Sequence, residues 1–404
     1  MSLTPRMIKD AHKHVKKVTH PTPVVYSPVF SAETGHEIWM KPENMQRTGA
    51  YKLRGAYNKI RNLPEDCRSK GLIASSAGNH AQGVAYAAQM AGAPATIVMP
   101  VTTPLIKVEN TRKYGAEVIL HGHCYDDAYE KAMDLAHHEG YTFVHPFDDY
   151  HVMAGQGTVG LEIMEEIPDA DIILVPVGGG GLISGIAVAA KSINPNVKVI
   201  GVEPLGARAM KLSLDRGKLS SLDLVNTIAD GVAVKTPGSK TFPLVQQWVD
   251  EIVTVSDFDI MEAFLLLMEQ HKMVAESAGV LALAGAKKIR PASGGGLKVV
   301  SVISGGNIDV VTISTMIDRG LVSRGRVCCF SVDLPDTPGE LLKISELLFR
   351  THANVIKLDH NQFKTPDRFQ QVQLEVTIET NGHGHLSDIL GTLVGAGYVI
   401  KKIV

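Results

Sequence analysis

Apolar residues along the chain follow two rhythms in alternation. Short runs such as "GLIASS", "PATIVMP", "AEVILHG" and "YTFVHP" are apolar without a polar partner at every second place. Between them lie "HAQGVAYAAQMAG", "LIKVENTRKYG" and "YDDAYEKAMDLAHHEG", where apolar positions recur at helical spacing. A second series repeats the scheme: helix "GQGTVGLEIMEEI", strand "DIILVPVGGGG", helix "LISGIAVAAKSI" and strand "VKVIGVEP". One long helical stretch, Phe258 to Ala286, then leads to strand "KVVSVISGGN". Strands buried on both faces and alternating with helices predict parallel sheets covered by helices. Upstream, "MSLTPRMIKDAHKHVKKVTH" predicts an amphipathic helix, and "TGAYKLRGA" opens another that continues through Tyr57, Ile60 and Arg61.

The rhythm changes after "MIDRGLVSRGR", a charged stretch punctuated by glycine. From Val327 the pattern reads strand "VCCFSVDL", turn "PDTPG", helix "ELLKISELLFRTH", strands "NVIKLDHNQ" and "QVQLEVTIET", helix "HLSDILGTLVGAG" and strand "YVIKKIV". That order, βαββαβ, is a split βαβ unit. The expected layout is a main domain over 1–320, a linker at 321–326 and a separate domain at 327–404. "SGGGL", Ser293 to Leu297, has linker composition but precedes the strand that completes the main sheet, so it is read as a surface loop.

Composition narrows the function classes. A chain of 404 residues exceeds one ordinary core. Forty Lys+Arg against 42 Asp+Glu gives no electrostatic reason to expect nucleic acid or an anionic membrane as partner. No apolar run is long enough to span a bilayer, and the N-terminus lacks the apolar core of a secretory signal. Cys67, Cys124, Cys328 and Cys329 match neither a zinc pattern nor a C-x-x-C pair, so free thiols in a cytoplasmic protein are expected. His121, His123, His137 and His138 read as surface histidines.

Four short stretches carry candidate chemistry. Lys52 stands at a helix start, where negative charge is the usual preference. In a cleft, burial would lower its pKa and make the neutral amine a nucleophile toward a carbonyl, with Arg54 and the helix dipole pushing the same way. "SSAGNHAQG", Ser75 to Gly83, crowds Ser75, Ser76, Asn79, His80 and Gln82 at a strand-to-helix turn that suits a carboxylate; a single helix cap would explain one of them. "PVGGGGLISG", Pro176 to Gly185, offers a backbone cradle for phosphate. Glu203 ends the next strand where a ribose-binding acid would sit, yet G-x-G-x-x-G is missing and no Walker ending follows. "SGGN", Ser304 to Asn307, places a hydroxyl at another strand end. An aldehyde for the lysine, a phosphate for the glycines and a ring nitrogen for the serine are together the groups of pyridoxal phosphate.

In these motifs and their order the chain resembles the fold-type II pyridoxal-phosphate enzymes, and within them the threonine dehydratases. The resemblance implies a two-subdomain α/β fold like that of tryptophan synthase β, with twisted parallel sheets and a smaller subdomain at roughly 50–150 inserted in the larger, followed by an α+β ferredoxin-like ACT domain. It implies Lys52 as the Schiff-base lysine beside the Tyr51 ring, and Asn79 at the ring hydroxyl. Gly178, Gly179, Gly180, Gly181 and Leu182 would hold the phosphate, and Ser304 would meet the pyridine nitrogen. Ser75, Ser76, Gly78, Asn79 and His80 would receive the substrate carboxylate, and Pro338, Gly339 and Asn354 an amino-acid effector such as isoleucine or valine. A homodimer or homotetramer is expected. Two departures matter. Ala50-Tyr51-Lys52 stands where relatives read Ser-Phe-Lys, and Ala77 stands where serine racemases carry a second, proton-bearing serine, which favours elimination over racemisation. Glu203 with the carbonyl of Ala207 leaves room for a monovalent cation, while Ala209 replaces a carboxylate that a divalent metal would use. The competing readings are a serine racemase or other β-eliminating or β-replacing enzyme, a nicotinamide dehydrogenase with a regulatory domain, and a non-catalytic amino-acid sensor.

Overall fold

The computed structural model describes residues 2–290, 295–361 and 371–402. In chain order the strands are β1 (Val25–Tyr26), β2 (Glu37–Pro42), β3 (Leu72–Ser75), β4 (Ala95–Met99), β5 (Glu117–Leu120), β6 (Thr142–Phe143), β7 (Ile172–Pro176), β8 (Lys198–Pro204), β9 (Glu251–Val255), β10 (Lys298–Ile303), β11 (Val327–Pro335), β12 (Asn354–Asn361), β13 (Gln371–Glu379) and β14 (Ile400–Lys402). They form a six-stranded sheet β1-β2-β10-β7-β8-β9, a four-stranded sheet β5-β4-β3-β6 and a four-stranded sheet β12-β13-β11-β14. The first is parallel except for β1, the second is wholly parallel and the third is antiparallel. The fold is therefore α/β with two parallel sheets, followed by an α+β unit.

Both parallel sheets obey the burial their sequences predict. β4 and β7 are buried at all of their positions, and helix Gly181–Ile193 is buried from Gly181 through Ala190, so it is apolar all round. Val175, Ile183, Val199, Ile252 and Val302 meet in the larger core, while Leu72, Ala74, Val84, Ile97 and Met99 meet in the smaller. Each such side chain contributes about 1.5–3 kcal/mol on burial. The smaller sheet is built wholly from chain between β2 and β7 of the larger one.

The chain divides into two compact units, Met1–Ile308 and Asp309–Val404. Of the linker expected at 321–326, residues 321–323 end a helix over Val310–Ser323 that Asp309 caps, with Met316 and Gly320 buried, and residues 324–326 form the turn before β11. The charges in "MIDRGLVSRGR" mark a solvated helix face as well as they would mark a linker. In the second unit, β11 to β14 and helices Glu340–Arg350 and His383–Gly395 follow the βαββαβ order. Phe330, Val332, Ile344, Leu374, Val376 and Ile389 form its core. Of the loop read at Ser293–Leu297, Ser293 and Gly294 lie outside the described residues, as do Gln362 and the last two residues of "YVIKKIV".

Two further expectations need correction. The helical stretch from Phe258 to Ala286 is two helices, Asp257–His271 and Leu281–Ala286. Lys272, in the left-handed region at φ 57, ends the first. "GQGTVGLEIMEEI" likewise divides, into Tyr150–Gln156 and Thr158–Glu166 on either side of Gly157.

One buried ionic cluster joins the start of helix Lys52–Arg61 to its surroundings. All five N–H donors of Arg54 are used: Nε and Nη2 donate to Glu43 at 2.7 and 2.8 Å, Nη1 and Nη2 to Glu162 at 2.6 and 2.9 Å, and Nη1 to Thr158 Oγ1 at 3.1 Å. Arg54 and Glu43 are fully buried, and Lys41 completes the cluster with a 2.8 Å contact to Glu162. Burial opposes the Arg54 charge, but Glu43 and Glu162 outweigh it and hold its pKa above the usual value. Truncating one partner of such a cluster strands the others. Arg54→Met should lose about 3–5 kcal/mol of stability in urea unfolding; a loss below about 1 kcal/mol would show that the cluster is not a structural anchor.

Candidate active site

Lys52 is the first residue of its helix, and Tyr51 and Ala50 tie that start to the end of β10. Tyr51 N donates to Ser304 O at 3.2 Å, and Ala50 bridges Gly305. The Lys52 Nζ donates to the carbonyl of Pro146 at 2.9 Å and stands 5.4 Å from the Tyr51 ring centroid. Lys52 is partly accessible, yet the surrounding protein desolvates its amine and lowers its pKa to about 8, with the Glu276 carboxylate opposing. Arg54 does not supply this shift, contrary to expectation, because two glutamates neutralise it inside the cluster beneath the helix. Burial holds the Tyr51 phenol well above its usual pKa.

The residue after Pro146 reaches the glycine loop. A Cβ at Gly179 would lie 2.4 Å from the Phe147 ring, and one at Gly181 would lie 2.9 Å from Phe147 Cβ. The loop thus has glycines because an aromatic side chain occupies the space that side chains there would need. Gly180, at φ 92, is the cap before helix Gly181–Ile193, and Leu182 is buried behind it. The backbone of Gly178 runs against Val232. The first N–H groups of an α-helix have no intrahelical partner, and at a glycine turn they make an anion cradle. Pro146 and Phe147, consecutive in the chain, therefore bring the lysine and the cradle to one place.

Asn79 begins helix Asn79–Ala91 and is held from two sides. Its Nδ2 donates to Glu276 Oε1 at 2.6 Å, and its Oδ1 accepts from Asn307 Nδ2 at 2.7 Å. Asn307 Nδ2 also donates to Thr48 O at 2.7 Å. With Nδ2 carrying two protons, one remains for a further acceptor. Burial, with Asp230 adding to it, pushes Glu276 up to about 7, while Asn79, Lys107 and Lys52 oppose the shift. Neither Glu276 nor Asn307 was singled out from sequence. Glu276 falls in what reads as uninterrupted helix; the Ser-Ala-Gly that follows it was the available signal for a break.

The remaining expected positions divide by role. Ser75 Oγ is buried and finds no partner among the described residues, while Ser76 Oγ accepts from Gly78 N at 3.2 Å. The His80 ring is turned away into the scaffold. Its Nε2 pairs with Val144 O at 2.8 Å, and burial, then Lys52, lowers its pKa to about 3. Its Nδ1 is buried and finds no partner among the described residues. Ser304 Oγ is 3.4 Å from Ala278 O at the end of β10. Glu203 is a helix cap: its two oxygens accept from Met210 N at 2.9 Å and Lys211 N at 2.8 Å, past the turn holding Ala207, and burial pushes it up to about 8.

In the second unit, Pro338 and Gly339 line a cavity of about 320 Å³ with Leu341 and His360. Asn354 is not among its walls. It pairs with Glu379 across the sheet, donating at 3.0 Å, whereas the cavity adjoins Leu334 and Val372. Counted along β13, these sites lie about 20 Å apart in one chain.

Comparison with known proteins follows the same lines. The pyridoxal-phosphate dependent enzyme family matches residues 15–305. L-threonine ammonia-lyase of Thermotoga maritima is 48% identical over 398 residues, covering 98% of each chain. Among solved structures, the processed form of threonine deaminase isoform 2 from Solanum lycopersicum matches with a TM-score of 0.75 and 38% identity over 78% of this chain and 88% of that one. Maize serine racemase matches with a TM-score of 0.75 and 36% identity over 80% and 99%.

A lysine whose pKa is lowered becomes reactive at lower pH than its surface counterparts. In the cofactor-free protein, acylation of Lys52 followed by peptide mapping should rise with pH through a midpoint near 8. A midpoint at the ordinary lysine value would show that the amine is solvated.

Proposed function

This chain belongs to the pyridoxal-phosphate dependent enzymes, and we propose that within that family it is a lyase converting L-threonine into 2-oxobutanoate and ammonia, with L-serine as a second substrate giving pyruvate. The observation that carries the reading is the desolvated Lys52 amine joined through Pro146 and Phe147 to a glycine cradle. The likeness to L-threonine ammonia-lyase of Thermotoga maritima over 98% of both chains supports the substrate.

The residues fit the cofactor. The cradle is kept free of side chains by Phe147, and Ser75 Oγ is a buried hydroxyl awaiting a partner. Pyridoxal phosphate supplies an aldehyde for a lysine amine and a ring that delocalises the charge left at the substrate α-carbon. Lys52 would hold it covalently and would act as general base toward the substrate α-proton; a pKa near 8 leaves a useful neutral fraction of the amine at working pH. Gly178 to Gly181 and Leu182 would hold the phosphate through main-chain N–H groups, Ser304 would meet the ring nitrogen, and Tyr51 would pack beside the ring. Asn79, fixed by Glu276 and Asn307, would offer its remaining Nδ2 proton to the ring oxygen. Ser75, Ser76 and the main chain of Gly78 to His80 take the substrate carboxylate. Ala77 has no proton to give to the opposite face, so a racemase-like second acid/base is missing there and elimination is favoured.

The second unit is proposed as an ACT-type regulatory module. Its βαββαβ order and the cavity at Pro338 and Gly339 support an amino-acid effector. Because Asn354 lies at the far end of the sheet, it and that turn can share one ligand only across two copies, which favours a homodimer or a higher even assembly. Four free cysteines suit a reducing, cytoplasmic setting.

Release of 2-oxo acid from L-threonine and L-serine by the cofactor-loaded protein tests the reaction. Product from threonine is expected, and Lys52→Ala should abolish it; retained turnover in that variant would remove Lys52 from its role. For the module, equilibrium dialysis with isoleucine and valine should show saturable binding that shifts the threonine saturation curve. No binding of either, with kinetics indifferent to an amino-acid panel, would contradict regulation at this unit.

A further inference from the structure

The glycine loop is held from behind by residues to which neither its motif nor its family likeness assigns a role. Gly179 O accepts twice, from Gly238 N at 3.1 Å and from Thr241 Oγ1 at 2.6 Å. In a trans peptide unit the carbonyl and the N–H point in opposite directions. Fixing the Gly179 carbonyl on one side therefore fixes the Gly180 N–H on the other, directly before helix Gly181–Ile193.

The segment that pins this carbonyl is itself placed by one carboxylate. Asp148 Oδ1 accepts from Lys240 N at 2.8 Å and Thr241 N at 3.2 Å, and Oδ2 from Ser239 N at 3.1 Å and Ser239 Oγ at 2.9 Å. Fit is close on every side. A Cβ at Gly238 would come within 2.3 Å of Asp148 Oδ1, and one at Gly180 within 2.9 Å of Thr241 Oγ1. Phe147, the residue before Asp148, fills the opposite flank against Gly179 and Gly181. Asp148 could serve merely as a cap for helix Thr241–Trp248. A cap alone would not need the fully buried Thr241 hydroxyl to be spent on Gly179 O.

We propose that Thr241, placed by Asp148, is a positioning residue that aims the Gly180 N–H at the cofactor phosphate, so that preference for the phosphorylated cofactor depends on the Thr241 hydroxyl. This rests on the reading of the glycine loop as the phosphate site. Thr241→Val keeps the shape and removes the donor, whereas Thr241→Ser keeps the donor.

The test is titration of the cofactor-free protein with pyridoxal phosphate and, separately, with pyridoxal, which lacks the phosphate. Wild type should prefer the phosphorylated form. Thr241→Val should lower that preference about tenfold or more, the worth of one hydrogen bond to a charged group, with pyridoxal affinity unchanged. Thr241→Ser should restore it. Asp148→Asn, which cannot accept all four bonds, should move the preference the same way, and thermal melts would confirm that each variant is folded. Unaltered preference in folded Thr241→Val, or equal weakening of both ligands, would overturn the inference. No preference in wild type would instead remove the phosphate reading on which it stands.

Discussion

The placement of the reactive amine depends on a guanidinium two residues further along the same helix. Arg54 sits in full burial with every donor satisfied, bonded to Glu43 after β2 and to Glu162 on helix Thr158–Glu166. A rigid planar fork meeting two carboxylates fixes direction as well as distance, which a lysine in the same place would not do. Since side chains two apart on a helix point to different sides, the face that anchors Arg54 and the face that offers Lys52 are set together. The helix can then present a cation at its own N-terminus, an electrostatically poor place, because packing elsewhere along it outweighs the local cost.

Burial acts in opposite senses on Lys52 and Glu276. It lowers Lys52 to about 8 and raises Glu276 to about 7, so the cleft favours neutral forms of both an acid and a base. Each carries a charge that partly opposes the shift of the other. Asp230 and Lys107, 3.5 Å apart, bear on Glu276 with opposite signs, so the helix Leu105–Arg112 contributes to the electrostatics around Glu276. Ala77, at the strand-to-helix turn after β3, carries a methyl group with no exchangeable proton.

Much of this was legible before the structure. β3, β4, β7, β8 and β10 are short apolar runs flanked by helical periodicity and glycine, so burial on both faces declares them. The four glycines after β7 and the cluster Ser75 to His80 after β3 announce themselves because a turn of that composition has few structural purposes. Other features were hidden for physical reasons. β2 and β9 mix charged and apolar residues and stand toward the edges of the larger sheet. Glu276 sits where helix Asp257–His271 has already ended, but the end is made by Lys272 in a left-handed conformation, and a lysine carries no breaker signal. Arg54 read as a free cation that would tune Lys52; only long-range folding brings Glu43 and Glu162 to it. The helix Val310–Ser323 resembled a linker since its buried face is narrow.

On the proposed reading, Lys52 and no other lysine carries the cofactor. Borohydride trapping of the pyridoxal-phosphate-loaded protein, followed by proteolysis and mass mapping, is the first test of that assignment. A single reduced cofactor adduct is expected, on the peptide containing Lys52. An adduct confined to a different lysine, or none on a protein that visibly binds the cofactor, would contradict it.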